Sequence, residues 1–258
     1  MKGYRGRRRA PRRRGVIVLI VVVVCALLVA ALLVARSAGR SSGGPADRAG
    51  TAVVVEIPPP SAMSATATGP AREPVGWPAD LRWTAVAGLP LPVSATVGPR
   101  DLSGGRARGF AIGQAGAMLA VVHLVVRTSP QVGPAVFGPT LREQVVGPDA
   151  ASYAEAVHGD YEAQREQLLL PPGEPLGRIY GSITGLRVDS YSDDAASLRL
   201  LIEAPGRDGG IERAATVVQV AWSGGDWKLV APPQGDWSTV RAPVPADRVG
   251  DYPPIPGR

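Results

Sequence analysis

The stretch Trp222-Ser223-Gly224-Gly225-Asp226-Trp227-Lys228-Leu229 decides the fold class. Gly224 and Gly225 supply the positive φ that a tight hairpin turn demands. Trp222 and Trp227 stand one on each side, placed to pack as a cross-strand aromatic pair. Upstream of this turn the apolar residues recur every second position. Val218, Val220 and Trp222 share one face of a strand over 211–222, and Leu198, Leu200 and Ile202 share one over 197–203, where Arg199 and Glu203 point the other way. Leu186 and Val188 mark a third strand over 179–191. Ser192-Asp193-Asp194 and the run Pro205 to Gly210 read as the turns between them. Four strands joined by short turns predict an antiparallel meander.

Before Pro171-Pro172-Gly173 the period is helical. From Gln114 to Thr128, apolar residues such as Met118, Leu119, Val122 and Val126 cover too much of the circumference for a surface helix, so a central, covered helix is predicted. A shorter helix is expected around Thr140 to Val145. A third runs from Pro148 to about Leu168, with Tyr153, Val157, Tyr161 and Leu168 on one face. Leu81 to Val86, around Trp83, alternates as a half-buried strand, and Pro90, Pro92 and Pro99 are expected to break regular structure after it. Helices followed by a meander make an α+β protein.

Chemistry-bearing patterns are sparse. His123, among apolar residues, reads as a hydrogen-bonded core or edge histidine, because a metal site needs partners. His158 has no partner at a zinc-like spacing, and H-E-x-x-H is absent. Asp189, Asp193, Asp194 and Glu203 fall at strand ends and turns, where solvated carboxylates are the usual outcome. The glycine-rich run Gly104 to Gly109 lacks both the Lys-Ser/Thr of a phosphate loop and the G-x-G-x-x-G spacing. No catalytic residue, cofactor or metal is assigned from the sequence.

The other decisive stretch is Val16 to Ala35, VIVLIVVVVCALLVAALLVA, twenty residues with no charge, Pro or Gly. As a helix rising about 1.5 Å per residue it matches the hydrocarbon thickness of a bilayer. A transmembrane helix is therefore expected over 15–36. The tail 1–14 carries Arg7, Arg8, Arg9, Arg12, Arg13 and Arg14 besides Lys2 and Arg5, with no acidic residue. Positive flanks stay cytoplasmic, which places the rest of the chain outside. The formal net charge of +6 and pI near 10.0 are concentrated in that tail, so lipid headgroups rather than nucleic acid are its expected partner. The single cysteine, Cys25, lies inside the apolar run and excludes an intramolecular disulfide. Residues 37–76 read as a Pro/Gly/Ser/Ala-rich linker, interrupted by the β-prone run Thr51 to Ile57. An extracytoplasmic α+β domain is expected over 77–240, followed by a Pro-rich tail over 241–258.

Two resemblances extend this reading. Helices followed by a curved meander ending in Trp222 to Leu229 resemble the cystatin-like cone fold of nuclear transport factor two and its relatives. That likeness implies helices packed on a curved antiparallel sheet. With the anchor added, the chain is similar to the VirB-type and TcpC-type scaffold subunits of type IV secretion systems. Arg82-Trp83, Leu89-Pro90-Leu91-Pro92 and Arg108-Gly109-Phe110-Ala111 resemble an actinobacterial membrane-anchored family found among conjugative and integrative-element genes. The resemblance implies an envelope-facing assembly component of a transfer apparatus, not an enzyme, with other membrane or transfer proteins, or further copies of itself, as partners. A ligand- or cell-wall-binding module is the alternative, and an enzyme with a cryptic site the third.

The charge asymmetry has a direct test. A reporter that is active only outside the cytoplasm, fused after Arg258, is expected to be active. Activity restricted to a cytoplasmic reporter at that position would reverse the orientation.

Overall fold

The structure, a computed structural model, describes residues 76–206 and 208–257. It opens with a two-stranded antiparallel ribbon, β1 (Arg82–Val86) and β2 (Leu89–Val93). Three helices follow: α1 (Gln114–Arg127), α2 (Pro134–Gln144) and α3 (Ala150–Gln167), with the two-residue strand β3 (Val145–Val146) between the last two. The chain then forms β4 (Ser182–Tyr191), β5 (Ala195–Pro205), β6 (Ile211–Ser223), β7 (Asp226–Val230) and β8 (Arg241–Pro243).

The sheet has the order β3-β7-β6-β5-β4, with β8 added beside β6. Strands β4 to β7 pair antiparallel in sequence order, as the turn chemistry predicts. Trp222 lies directly opposite Trp227, and Gly224 and Gly225 hold φ of 62° and 80° between them. The two rings meet edge-on at 5.4 Å. They are not equivalent. Trp227 is fully buried and donates its indole N–H to the Ala111 carbonyl at 3.1 Å, whereas Trp222 keeps part of its surface in solvent.

Helix α1 crosses the inner face of this sheet, and its buried side chains run round the whole helix from Ala117 to Val126. Its entry is set by one close approach: a Cβ on Gly116 would sit 1.8 Å from the Ala111 carbonyl oxygen. Glycine alone fits there. Thr128 closes the other end, its hydroxyl donating to the Leu124 carbonyl at 2.9 Å. In α3, Tyr153, Val157 and Tyr161 form the buried stripe, while Leu168 is only half-buried.

Four expectations are corrected. The described residues form an α+β fold, and among them no helix is long and apolar enough to cross a membrane. Helix α1 is the apolar one, but its 14 residues span roughly 21 Å and include His123 and Arg127. The expected transmembrane segment 15–36 lies outside the described residues, as do the tail 1–14 and the run Thr51 to Ile57. The sheet is also not the purely antiparallel meander of the expected cone: β3 pairs parallel with β7 at Val145 and Val146.

The prolines of Leu89-Pro90-Leu91-Pro92 do not break the chain but alternate along β2. Proline cannot donate, so it is tolerated where the backbone faces away from the neighbouring strand. Finally, the expected Pro-rich tail is part of the fold. Beyond β8, Val244 packs on Leu201 and Ala215 on the outer face of the sheet. Leu186 N–H then bonds the Pro253 carbonyl at 3.0 Å, and Ile255 enters the main core. Val244 meets Leu201 and Ala215, 43 and 29 residues upstream, beyond the reach of local periodicity.

Asp226 ties these parts together. One carboxylate oxygen accepts from Phe110 N–H at 3.0 Å and Trp227 N–H at 2.9 Å, and the other from Gly109 N–H at 2.8 Å. Asp226→Ala leaves the Gly109 and Phe110 donors without an acceptor and is expected to cost about 2–4 kcal/mol. Trp227→Ala should cost about 3–5 kcal/mol and Trp222→Ala less, about 1–2 kcal/mol, because only the first ring is fully enclosed. Urea titration of each variant checks the order. Equal losses at the two tryptophans would contradict the packing.

Candidate functional site

Buried polar groups are the natural candidates for chemistry, and His123 is the foremost. It is wholly buried in α1, four residues before Arg127, which is 4% exposed. The Arg127 guanidinium donates from Nη1 to His123 Nδ1 at 3.1 Å. Arginine has no acceptor to offer, so Nδ1 is the unprotonated nitrogen and Nε2–H donates to the Pro92 carbonyl at 2.8 Å. Burial first, and the Arg127 charge second, push the imidazole down to about 3, against the upward pull of the Pro92 carbonyl. Arg127 itself is lowered by burial to about 10 and stays charged at neutral pH. It sits in the last turn of α1, where the carbonyl end of the helix favours a cation. The pair is a strut between α1 and the outward edge of β2. With its proton fixed at neutral pH, His123 has no acid–base role to offer there.

Several other polar groups are committed in the same way, whereas Gln144 Oε1, Thr184 Oγ1 and the Nε atoms of Arg106 and Arg127 are buried with no hydrogen-bond partner among the described residues. Tyr153, whose phenol is raised by burial, donates to Thr128 Oγ1 at 2.8 Å and accepts from the Trp237 indole at 2.9 Å. Gln144 donates to the Ala107 carbonyl at 2.5 Å. Asp189 receives the Nε–H groups of Arg187 and Arg199 on the outer face of the sheet, at 3.0 and 2.6 Å. Glu203 pairs with Arg213 across β5 and β6 at 2.8 Å, and Asp193 accepts from the Tyr191 hydroxyl. These exposed pairs contribute little individually. His158 lies on the exposed side of α3, edge-on to Phe137. Asp189, Asp193, Asp194 and Glu203 do not converge. Among the described residues no three His, Cys, Asp or Glu side chains gather as metal ligands would.

Trp83, Trp222, Gly224, Gly225 and Trp227 act structurally. Trp222 and the two turn glycines shape the hairpin, Trp227 fills the core, and Trp83 packs half-buried from β1. Arg7 to Arg14 lie outside the described residues. Sequence reasoning missed Asp226, Arg127 and Leu169. The first two have no local signal, because their partners come from other elements. Leu169 was visible as part of a Leu-Leu-Leu-Pro-Pro run, but its setting was not.

That setting is unusual. Leu169 follows α3 at φ 56° and is 90% exposed. Leu170 N–H reaches back to the Arg165 carbonyl at 3.0 Å, and Arg165 Nη1 donates to the Leu170 carbonyl at 2.9 Å. This is a helix-ending motif in which glycine normally takes the left-handed position. A leucine there costs about 1–2 kcal/mol, and the result is an apolar knob held out into solvent. Ile112, Tyr180 and Ile211 are also more than half exposed. Ser190, Ala195, Ser197, Gln219 and Ala221 line an open depression of about 320 Å³ at the end of the sheet by the β4–β5 turn.

The His123 strut makes stability pH-dependent. Unfolded, the imidazole takes its proton near pH 6.5; folded, it does so only near 3. Its contribution is therefore complete above pH 6.5 and is lost on acidification through that window, by up to about 1.4 kcal/mol per pH unit. His123→Gln is expected to flatten the decline of the urea midpoint between pH 6.5 and 5. An unchanged slope would contradict a buried neutral imidazole.

No curated protein and no solved structure matches this chain. One family model does, over residues 44–248, a range that begins inside the stretch 37–76 and ends inside the C-terminal strap. With about four fifths of its length matched, the chain belongs to the family described as a domain of unknown function, DUF8175.

Proposed function

We propose that the protein is a membrane-tethered, envelope-facing interaction subunit that holds partners through the surface of its α+β domain. The observation that carries this reading is the division of labour among side chains. Most buried polar groups close bonds inside the fold, as His123, Asp226 and Tyr153 do, and the buried atoms left without a partner among the described residues, such as Gln144 Oε1 and Thr184 Oγ1, are scattered rather than gathered in one site. Apolar side chains such as Leu169 and Ile112 are instead held at the surface, where they serve contact with another macromolecule. The tether rests on the sequence: the uncharged run Val16 to Ala35 behind eight cationic residues. A place in a conjugative transfer apparatus rests on the resemblance carried by Arg82-Trp83, Leu89 to Pro92 and Arg108 to Ala111. The alternative, a ligand- or cell-wall-binding module, draws support only from shallow depressions.

Anchoring raises the local concentration of membrane partners. Cross-linking in cells is therefore expected to trap the full chain with itself or with other membrane proteins, and secretion of residues 37–258 without the anchor to abolish those products. His158→Gln and Asp193→Asn should leave them intact. A freely secreted form that gives the same products, or loss of function from either polar substitution in a folded protein, would favour the binding or catalytic reading.

A further inference from the structure

Strand β1 has one edge that no described residue occupies. Pro90 and Pro92 lack an N–H, so the pairs Ala85↔Pro90 and Trp83↔Pro92 exchange no backbone hydrogen bonds. The bonds of the ribbon run instead through Arg82↔Val93, Thr84↔Leu91 and Val86↔Leu89. The N–H and C=O groups of Trp83 and Ala85 therefore point away from β2, and among the described residues nothing bonds to them. The neighbouring edges differ. The outward side of β2 is closed by its prolines and by the His123 bond to the Pro92 carbonyl. On β4, Leu186 is bonded to Pro253. Along β1 itself, the edge ends where Ile179 N–H bonds the Ala87 carbonyl at 2.9 Å.

The two ends of this open edge are cationic. Exposed Arg82 begins the strand. At the other end the side chain of Arg178 lies against the turn, its Cγ 2.8 Å from where a Cβ on Gly88 would be. Arg178, Tyr180 and Ser182 face Gly88 of the turn and Leu89 and Pro90 at the start of β2 across a cavity of about 360 Å³. Neither Arg82 nor Arg178 has a carboxylate partner among the described residues, where seven of thirteen arginines are ion-paired.

We propose that the open edge of β1 docks an extended acidic segment of a partner protein, added as a third strand of the ribbon with a carboxylate at Arg178. Strand addition supplies main-chain hydrogen bonds to Trp83 and Ala85, and the flanking charges select the sequence. Charge also argues against a second copy. Antiparallel pairing of β1 with itself around Thr84 sets Arg82 of one chain beside the turn and Arg178 of the other, and opposed like charges destabilise a strand pair. This inference rests on the interaction reading and gives its partner a chemistry.

The probe is a capped, fluorescently labelled peptide, Glu-Val-Thr-Val-Glu, added to the full chain in detergent, with Lys-Val-Thr-Val-Lys as its counterpart. The acidic peptide is expected to bind, to slow amide exchange at Trp83 and Ala85, and to weaken as salt rises. Ala85→Pro deletes an outward donor without touching the bonds to β2, and Arg178→Glu inverts the selecting charge. Each should weaken binding roughly tenfold or more. Equal binding of the two peptides, no binding of either, or an acidic peptide indifferent to both substitutions would overturn the proposal. So would a dimer of the free chain that Ala85→Pro dissolves, since it would make a second copy the occupant. Any of these leaves the tethered reading to its own cross-linking test.

Discussion

The fold depends on one carboxylate. Asp226 sits at the base of the β6–β7 turn, almost fully buried, and accepts three backbone N–H groups, two of them from the loop that precedes α1. A charged acceptor makes such bonds stronger than neutral ones, and losing it would leave two donors unpaired. Trp227 adds the bond from its indole to the Ala111 carbonyl. Two segments more than 110 residues apart are thereby held in one geometry. Because Gly116 admits the Ala111 carbonyl so closely, that geometry also sets how α1 lies across the sheet. The core between α1 and the inner sheet face follows from this single clamp.

The rest of the architecture manages sheet edges and faces. Unpaired strand edges invite uncontrolled association. Here the edge of β7 is covered by β3, the edge of β4 by the chain near Pro253, and the outer side of β2 by its prolines. The segment from β8 onward also buries Leu201 and Ala215 under Val244, giving the outer face a small core of its own. Only against this background does the bare edge of β1 stand out. Beside these three covered edges, the bare side of β1 is flanked by Arg82 and Arg178, neither of which has a carboxylate partner among the described residues.

In the proposed interaction role, the protein works through surfaces more than through buried groups. The one buried histidine is held neutral by the absence of solvent and by a neighbouring cation, and its proton is fixed on Nε2 by the Pro92 carbonyl. The conformational cost at Leu169 is met by the capping bonds of Arg165 and yields nothing for the core, since the side chain is in solvent.

The sequence by itself determined the α+β class of the described part, the four strands β4 to β7 with their turns, the buried stripe of α3 and the covered nature of α1. Those features are written in periods of two and 3.6 and in turn residues, which act over a few positions. It also showed the eight-charge leader and the apolar run behind it. Tertiary structure alone decided the rest. The parallel pairing of β3, the strap beyond residue 240, the strand role of Leu89-Pro90-Leu91-Pro92 and the separate fates of Trp222 and Trp227 all depend on which distant segment lies alongside. So do the two central contacts. Asp226 reads locally as a turn carboxylate and His123 as a residue in an apolar run; only the approach of Gly109, Phe110 and Pro92 makes the one a clamp and the other a strut. Hydrogen bonds and burial are set by neighbours in space, and a period along the chain records only neighbours in sequence.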